Sequence, residues 1–265
     1  MVVPRLRGLG VGRMIGALAM VLALAGCDNI AGVDPSAAAA GQREPNMLKT
    51  YDKTNIAGWL YRAAKPKAVI LLFHQAGSSK DEYATIAPRL AAQGYTAYAI
   101  DQRSGGDLFG DNSTVHREGR STGFLEARQD LEAALAWARQ QGLPVILWGS
   151  SYSAALVFLV AADNPADVDA VMAFSPGEYL GEPDLVKRAA ARVRVPVYVT
   201  SASNAQEVAV AKSIVDAVGG PRKLHYVPVA GTHGSSTLIK ERDAAGYDAN
   251  WRSVEAFLAQ VVPTP

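Results

Sequence analysis

Apolar and polar positions along the chain fall into two alternating kinds of segment. Solid apolar runs occur at Ala68–His74, Tyr95–Ile100, Leu143–Trp148, Val168–Phe174 and Val195–Ser201. Short uninterrupted runs of this kind read as strands buried on both faces. Between them lie segments with helical character: Asp81–Gln93, with Tyr83, Ile86 and Leu90 on one face and Gly94 at its end, Thr122–Gln141 closed by Gly142, Ser151–Asp163, and Glu207–Val218. Lys223–Val229 adds a last strand and Asn250–Val261 a final amphipathic helix. Ahead of the first buried run, residues 47–63 place Thr50, Tyr51, Ile56, Trp59 and Tyr61 around the turn candidate Asp52-Lys53, the pattern of an antiparallel hairpin at a sheet edge. Strands alternating with helices over nearly the whole length predict an α/β fold, a mostly parallel sheet with helices on both faces. Sites in such sheets lie at the carboxyl ends of the strands. There the chain places His74, Gln75, Asp101, Ser151, Glu178, Asn204 and His233.

The start of the chain follows another pattern. Arg5, Arg7 and Arg13 precede an apolar stretch of 12 residues, Met14–Ala25. A membrane span needs about 20, so residues 1–27 read as a signal peptide. The stretch ends in Leu24-Ala25-Gly26-Cys27, which resembles the lipobox of bacterial lipoproteins and implies cleavage before Cys27 and lipidation of its thiol. Cys27 is the single cysteine of the chain, so no disulfide contributes to the fold. Asp28 follows it; by resemblance to a sorting rule of Gram-negative bacteria, this implies retention on the periplasmic side of the inner membrane. Residues 28–46, with Ala37–Ala40, Gly32, Gly41, Pro35 and Pro45, read as a flexible tether. One folded domain is then expected over residues 47–265, long enough for a sizeable core. Loss of the three arginines leaves a net charge of −2 and no basic patch, which argues against a nucleic-acid partner. No His, Cys and carboxylate cluster stands at metal-ligand spacing, so neither a metal nor another cofactor is expected.

Candidate chemistry centres on Gly149-Ser150-Ser151-Tyr152-Ser153, at the junction of a buried strand and a helix. A serine on so tight a turn projects its hydroxyl from the sheet end, with the next helix turn's amides facing whatever it attacks. The run matches G-x-S-x-G except that Ser153 replaces the last glycine, where a small residue lets helix and strand pass closely. A serine hydroxyl needs a base, and His233, in the Gly-flanked loop Gly231-Thr232-His233-Gly234, can reach it. His116 and His225 are weaker candidates, and His74 reads as a structural strand-end histidine. For the oxyanion, one donor is the Tyr152 amide; the second comes from His74-Gln75-Ala76-Gly77-Ser78-Ser79, with Ala76 ahead of Gln75. The acid stays open. Asn204 occupies the expected spot after Val195–Ser201, so Glu178 is placed first, Glu207 second, and Asn204 remains as a neutral orienter.

Together these residues resemble the α/β-hydrolases, most closely the small dienelactone-hydrolase-type members without a lid. The likeness rests on the Gly149–Ser153 turn, the strand and loop at Leu71–Gly77, Asp101-Gln102-Arg103 with Gly105 and Gly106, and Gly231–Gly234, and covers about 47–263. It implies a serine hydrolase, a carboxylesterase acting on small esters through an acyl-enzyme. Dienelactone hydrolases proper use a cysteine nucleophile, so their substrate does not carry over. The short span between Pro176 and Val195 leaves no room for a large cap domain. The loop Gln102–Ser121, with Arg103, Arg117 and Arg120, is the remaining candidate rim. The rival reading is a membrane-tethered, non-catalytic binding lipoprotein on the same fold.

Overall fold

The computed structural model describes residues 41–262. The predicted signal peptide, Cys27 and residues 28–40 of the predicted tether lie outside the described residues. Eight strands form one sheet: β1 (Arg43–Lys49), β2 (Asn55–Tyr61), β3 (Ala68–Phe73), β4 (Tyr95–Ile100), β5 (Val145–Ser150), β6 (Ala170–Phe174), β7 (Val197–Thr200) and β8 (Lys223–Tyr226). Their order is β1-β2-β4-β3-β5-β6-β7-β8. The β1–β2 and β2–β4 pairs are antiparallel and the others parallel. The hairpin is as expected, but β1 starts at Arg43, inside the segment predicted as tether. There Arg43–Asn46 find backbone partners in Gly58–Tyr61. Pairing to a neighbouring strand, invisible in local composition, overrides the Pro and Gly content that read as a linker.

Seven α-helices pack on the sheet among the described residues: α1 (Ile86–Ala92), α2 (Ser113–Glu118), α3 (Arg128–Arg139), α4 (Tyr152–Asp163), α5 (Leu185–Ala190), α6 (Ala205–Ala217) and α7 (Tyr247–Val261). Strand alternation separates two cores. Val69, Leu71, Phe73 and Leu147 face α3, α4 and α6. Ile70, Leu72, Ile146 and Trp148 face α1 and α7. Helix α4 is buried from Tyr152 to Ala162, as a helix apolar all round should be.

Two predicted helices are shorter than their periodicity. Asp81–Gln93 is a 3-10 turn at Lys80–Tyr83 followed by α1. Pro88 has no N–H to give the Ala84 carbonyl, and its ring crowds that carbonyl, so one continuous helix is excluded. The 122–141 segment likewise opens as a 3-10 turn, Phe124–Ala127, before α3. Helices α2 and α5 were not foreseen; each has six residues, too short for periodicity to register.

Candidate active site

Strand β5 ends in register with its neighbours. Gly149 lies opposite Phe73 of β3 and Ala173 of β6. The turn that follows is forced tight. A Cβ on Gly149 would sit 2.3 Å from the Ser153 carbonyl oxygen, so only glycine fits. Ser151 has φ 58° and ψ −121°, a backbone conformation that non-glycine residues avoid and that stores about 1–3 kcal/mol. Its amide donates to the Phe174 carbonyl at 2.8 Å. This anchor pins the turn while Ser151 as a whole keeps 8% exposure.

His233 arrives from the opposite direction. The loop after β8 crosses β7 and β6 to return toward β5, a lateral distance of about 14 Å at the usual strand spacing. It is tied down on the way: Ser203 N donates to Gly231 O at 3.1 Å and Asn250 Nδ2 to Ala230 O at 3.0 Å. His233 Nε2 then lies 2.8 Å from Ser151 Oγ, and Nδ1 lies 3.0 Å from Glu207 Oε2. A carboxylate only accepts, so Nδ1 carries the proton and Nε2 is left to accept from the serine hydroxyl.

The carboxylate beside the histidine is therefore Glu207, and the first-placed candidate, Glu178, lies elsewhere. Glu178 accepts from Val186 N at 2.9 Å and Lys187 N at 3.0 Å, satisfying the amides at the start of α5. That helix was not foreseen, so neither was the carboxylate's alternative employment. Asn204 caps α6, its Oδ1 accepting from Glu207 N at 2.9 Å. The cap places Glu207 in the first helical turn, from which its longer side chain reaches the imidazole. Burial pushes the Glu207 carboxyl up, but hydrogen bonds from Ser175 and Ala202 and the charge and hydrogen bond of His233 outweigh it, and the net shift is downward. The group is held ionised.

Ser175, which sequence reasoning missed, links these parts. At the end of β6 it adopts φ 54°. Its hydroxyl donates to Glu207 Oε2 at 2.8 Å and accepts from Gly234 N at 2.9 Å. The Ser175-Pro176-Gly177 run at a strand end was the available signal. On the other side, Gln75 N is occupied, donating to Glu82 Oε2 at 2.8 Å, so the second-choice oxyanion donor is excluded. Among the described residues, neither Tyr152 N nor Ala76 N has a protein acceptor. Both are free to donate to a group bound beside Ser151.

The neighbouring polar groups are structural. His74 accepts from Gln102 N at 3.0 Å and is held neutral, its pKa brought down to about 4 chiefly by complete burial. Asp101 accepts from Lys80 Nζ at 2.8 Å and Ser113 N at 2.7 Å. Ser153, standing for the last glycine of the motif, donates to the His74 carbonyl at 2.6 Å and accepts from Gln102 Nε2 at 2.7 Å, which fastens α4 to the loop after β3. Arg103 is not in a rim: it is buried against Asp130 and Asp52. His225 lies on β8. Asp107, Asp111 and His116 are exposed, with ligand atoms within 4.8 Å of one another, a grouping that sequence spacing did not suggest; His116 Nε2 already spans 2.9 Å to Asp107. No helix among the described residues is long and apolar enough to cross a membrane.

A family model described as serine aminopeptidase S33 matches residues 64–218, more than half of the chain. Among solved structures, the chain is similar to a dienelactone hydrolase from Anabaena variabilis, at 18% identity and TM-score 0.64, covering 83% of this chain and 97% of that one. It is similar to an esterase of Pyrococcus furiosus at 17% identity and TM-score 0.64, covering 83% and 93%. A thermostable carboxyl esterase from Bacillus coagulans gives 12% identity and TM-score 0.63, covering 83% and 99%. At these identities the likeness is one of fold, the mostly parallel sheet with flanking helices and no large cap.

Proposed function

Because the chain belongs to the serine aminopeptidase S33 family of α/β hydrolases, we propose that it is a serine hydrolase that cleaves small carboxylic esters through an acyl-enzyme on Ser151. The observation that carries this reading is the chain of contacts from Ser151 Oγ to His233 Nε2, 2.8 Å, and from His233 Nδ1 to Glu207, 3.0 Å, at a strained turn. His233 takes the hydroxyl proton as Oγ bonds to the ester carbonyl carbon, and Glu207 stabilises the resulting imidazolium. The carbonyl oxygen gains negative charge and is met by the Tyr152 and Ala76 amides, donors of a kind worth about 3 kcal/mol each. Collapse of the tetrahedral intermediate expels the alcohol, which receives the proton from His233. Water, deprotonated by His233, then attacks the acyl carbon, and Ser151 Oγ leaves, taking that proton back from His233, to free the acid. Esters are favoured as substrates because the structurally similar proteins include esterases. We also propose attachment to the cell envelope through lipid on Cys27, as the Leu24–Cys27 run implies; radiolabelled palmitate incorporated by the wild type and not by Cys27→Ser tests it.

The test of the catalytic reading is covalent labelling with a fluorophosphonate, beside turnover of p-nitrophenyl esters of increasing acyl length. Labelling confined to Ser151 and lost in His233→Ala is the expected result. A folded wild type that neither labels nor turns over overturns the reading and leaves the binding-lipoprotein alternative.

A further inference from the structure

One buried acid has no part in the chemistry described above. Glu82, in the 3-10 turn Lys80–Tyr83, is 1% exposed. Its partners are neutral: the Gln75 amide, the Ser150 hydroxyl and the Ser78 side chain. Burying a carboxylate without a cation costs several kcal/mol after relaxation, and mere filling of the space would be met better by an apolar side chain. What the carboxylate does that an apolar group cannot is accept from two loops at once.

We propose that Glu82 is a positioning residue of the hydrolytic site, clamping the loop after β3 to the nucleophile turn so that the two oxyanion amides keep their spacing. Glu82 Oε2 accepts from Gln75 N at 2.8 Å, and the next residue is Ala76, the first oxyanion donor. Oε1 accepts from Ser150 Oγ at 2.7 Å, and the next residues are the nucleophile Ser151 and the second donor, Tyr152. The clamp extends to the base. Ser150 Oγ accepts from Ser235 N at 2.9 Å, two residues beyond His233. Gly234 makes this approach possible: at φ +66° its missing Cβ would lie 2.4 Å from Ser150 Oγ. Tyr83 secures the same turn, donating to the Phe73 carbonyl at 2.6 Å. Thus one side chain sits one residue upstream of each segment that must present an amide to the reacting carbonyl. Without it, the loop after β3 is held less closely against the turn, and a displacement of about 1 Å in such groups costs up to about a hundredfold in rate.

The inference rests on the hydrolase reading of this site, so the experiment separates the two. Full-length wild type, Glu82→Gln and Ser150→Ala are purified in detergent; active sites are titrated with a fluorophosphonate, and kcat and KM are measured with p-nitrophenyl acetate. Backbone hydrogen exchange of the segment 74–79 is followed in parallel. Glu82→Gln is expected to melt within a few degrees of wild type, to lose about ten- to a hundredfold in kcat per titrated site with KM within about threefold, and to exchange faster at 74–79. Ser150→Ala is expected to show part of the same kcat loss. A folded Glu82→Gln with wild-type kcat overturns the proposal. If Glu82→Gln does not fold, Ser150→Ala decides, with an unchanged kcat as the overturning result. If wild type itself does not hydrolyse esters, the hydrolase reading has failed and exchange alone decides: faster exchange at 74–79 in Glu82→Gln keeps the clamp, and unchanged exchange removes it.

Discussion

Replacing Glu207 by glutamine removes the charge behind His233 while keeping the side chain's length and most of its contacts. During attack His233 becomes a cation whose Nδ1 lies 3.0 Å from the carboxylate. Two unit charges about 4 Å apart at an effective dielectric of about 20 attract by about 4 kcal/mol. The pair is partly open, with side chains 39% and 25% exposed, and solvent screening reduces this to roughly 3 kcal/mol. At 1.36 kcal/mol per decade that is a loss of about a hundredfold in kcat. A glutamine amide can also turn its NH2 toward Nδ1 and favour the tautomer that cannot accept the serine proton, which extends the loss toward about 10⁴. Glu178→Ala is the matched control. It unties two amides at the start of α5, which costs about 1–2 kcal/mol of stability, or about 2–8 °C in Tm for a domain of this size, and leaves kcat within about twofold. Steady-state hydrolysis of p-nitrophenyl acetate, with thermal melting followed by circular dichroism on the same samples, reads both. Turnover by Glu207→Gln within threefold of wild type refutes the assignment of the acid. So does an equal kcat loss in a fully folded Glu178→Ala.

Two further predictions concern stability. Ser151→Gly and Ser151→Ala both lack the hydroxyl, but only glycine relaxes φ 58°, ψ −121°; after glycine's extra unfolded-state freedom is subtracted, about 1 kcal/mol should remain, so the glycine variant should melt about 2–4 °C above the alanine variant, and a Tm equal to or below alanine's contradicts the strain. Burial pushes the Glu82 carboxyl up from 4.5 to about 7 and brings the His74 imidazole down from 6.5 to about 4. The Glu82 term favours folding below pH 4.5 and is lost as pH rises to 7; the His74 term is present above pH 6.5 and is lost as pH falls to 4. Between pH 6.5 and 4.5 the two oppose each other, so wild-type unfolding free energy should change little there on their account. Glu82→Gln should remove one side of this balance, so that its unfolding free energy relative to wild type falls by about 3 kcal/mol from pH 6.5 to 4.5 by urea titration, and a difference between the two proteins that does not change with pH contradicts the pairing.

The layered architecture was legible because each strand and each long helix announces itself by the spacing of its own apolar residues. Tyr95–Ile100 is predicted and observed with the same ends, and the Gly149–Ser153 turn is visible because a G-x-S-x-small run stands between a solid apolar strand and an alanine-rich helix. Ser151 and His233 could be paired in advance for a similar reason: each stands in a turn at a strand end, and parallel sheets gather such turns along one edge. The identity of the third residue could not be read in this way. Glu178 and Glu207 stand equally well near strand ends; what separates them is the six-residue helix α5, whose first amides take up one, and the Asn204 cap, which aims the other. The helix break before Pro88 could have been read locally, whereas the pairing of Arg43–Asn46 with β2 could not.

Glu82 and Ser175 mark the boundary most clearly. In the sequence Glu82 is an ordinary polar residue in a polar stretch, and Ser175 is marked only by the Pro-Gly pair that follows its strand. In the folded chain each bridges segments far apart along it, Glu82 joining Gln75 to Ser150 and Ser175 joining Glu207 to Gly234. Periodicity and turn chemistry are properties of neighbours along the chain, so the sequence alone determines the longer elements, their order and the candidate pair Ser151 and His233. Hydrogen bonds between loops depend on where side chains end in space, and only the packed sheet decides which carboxylate meets the imidazole and which is buried behind the nucleophile.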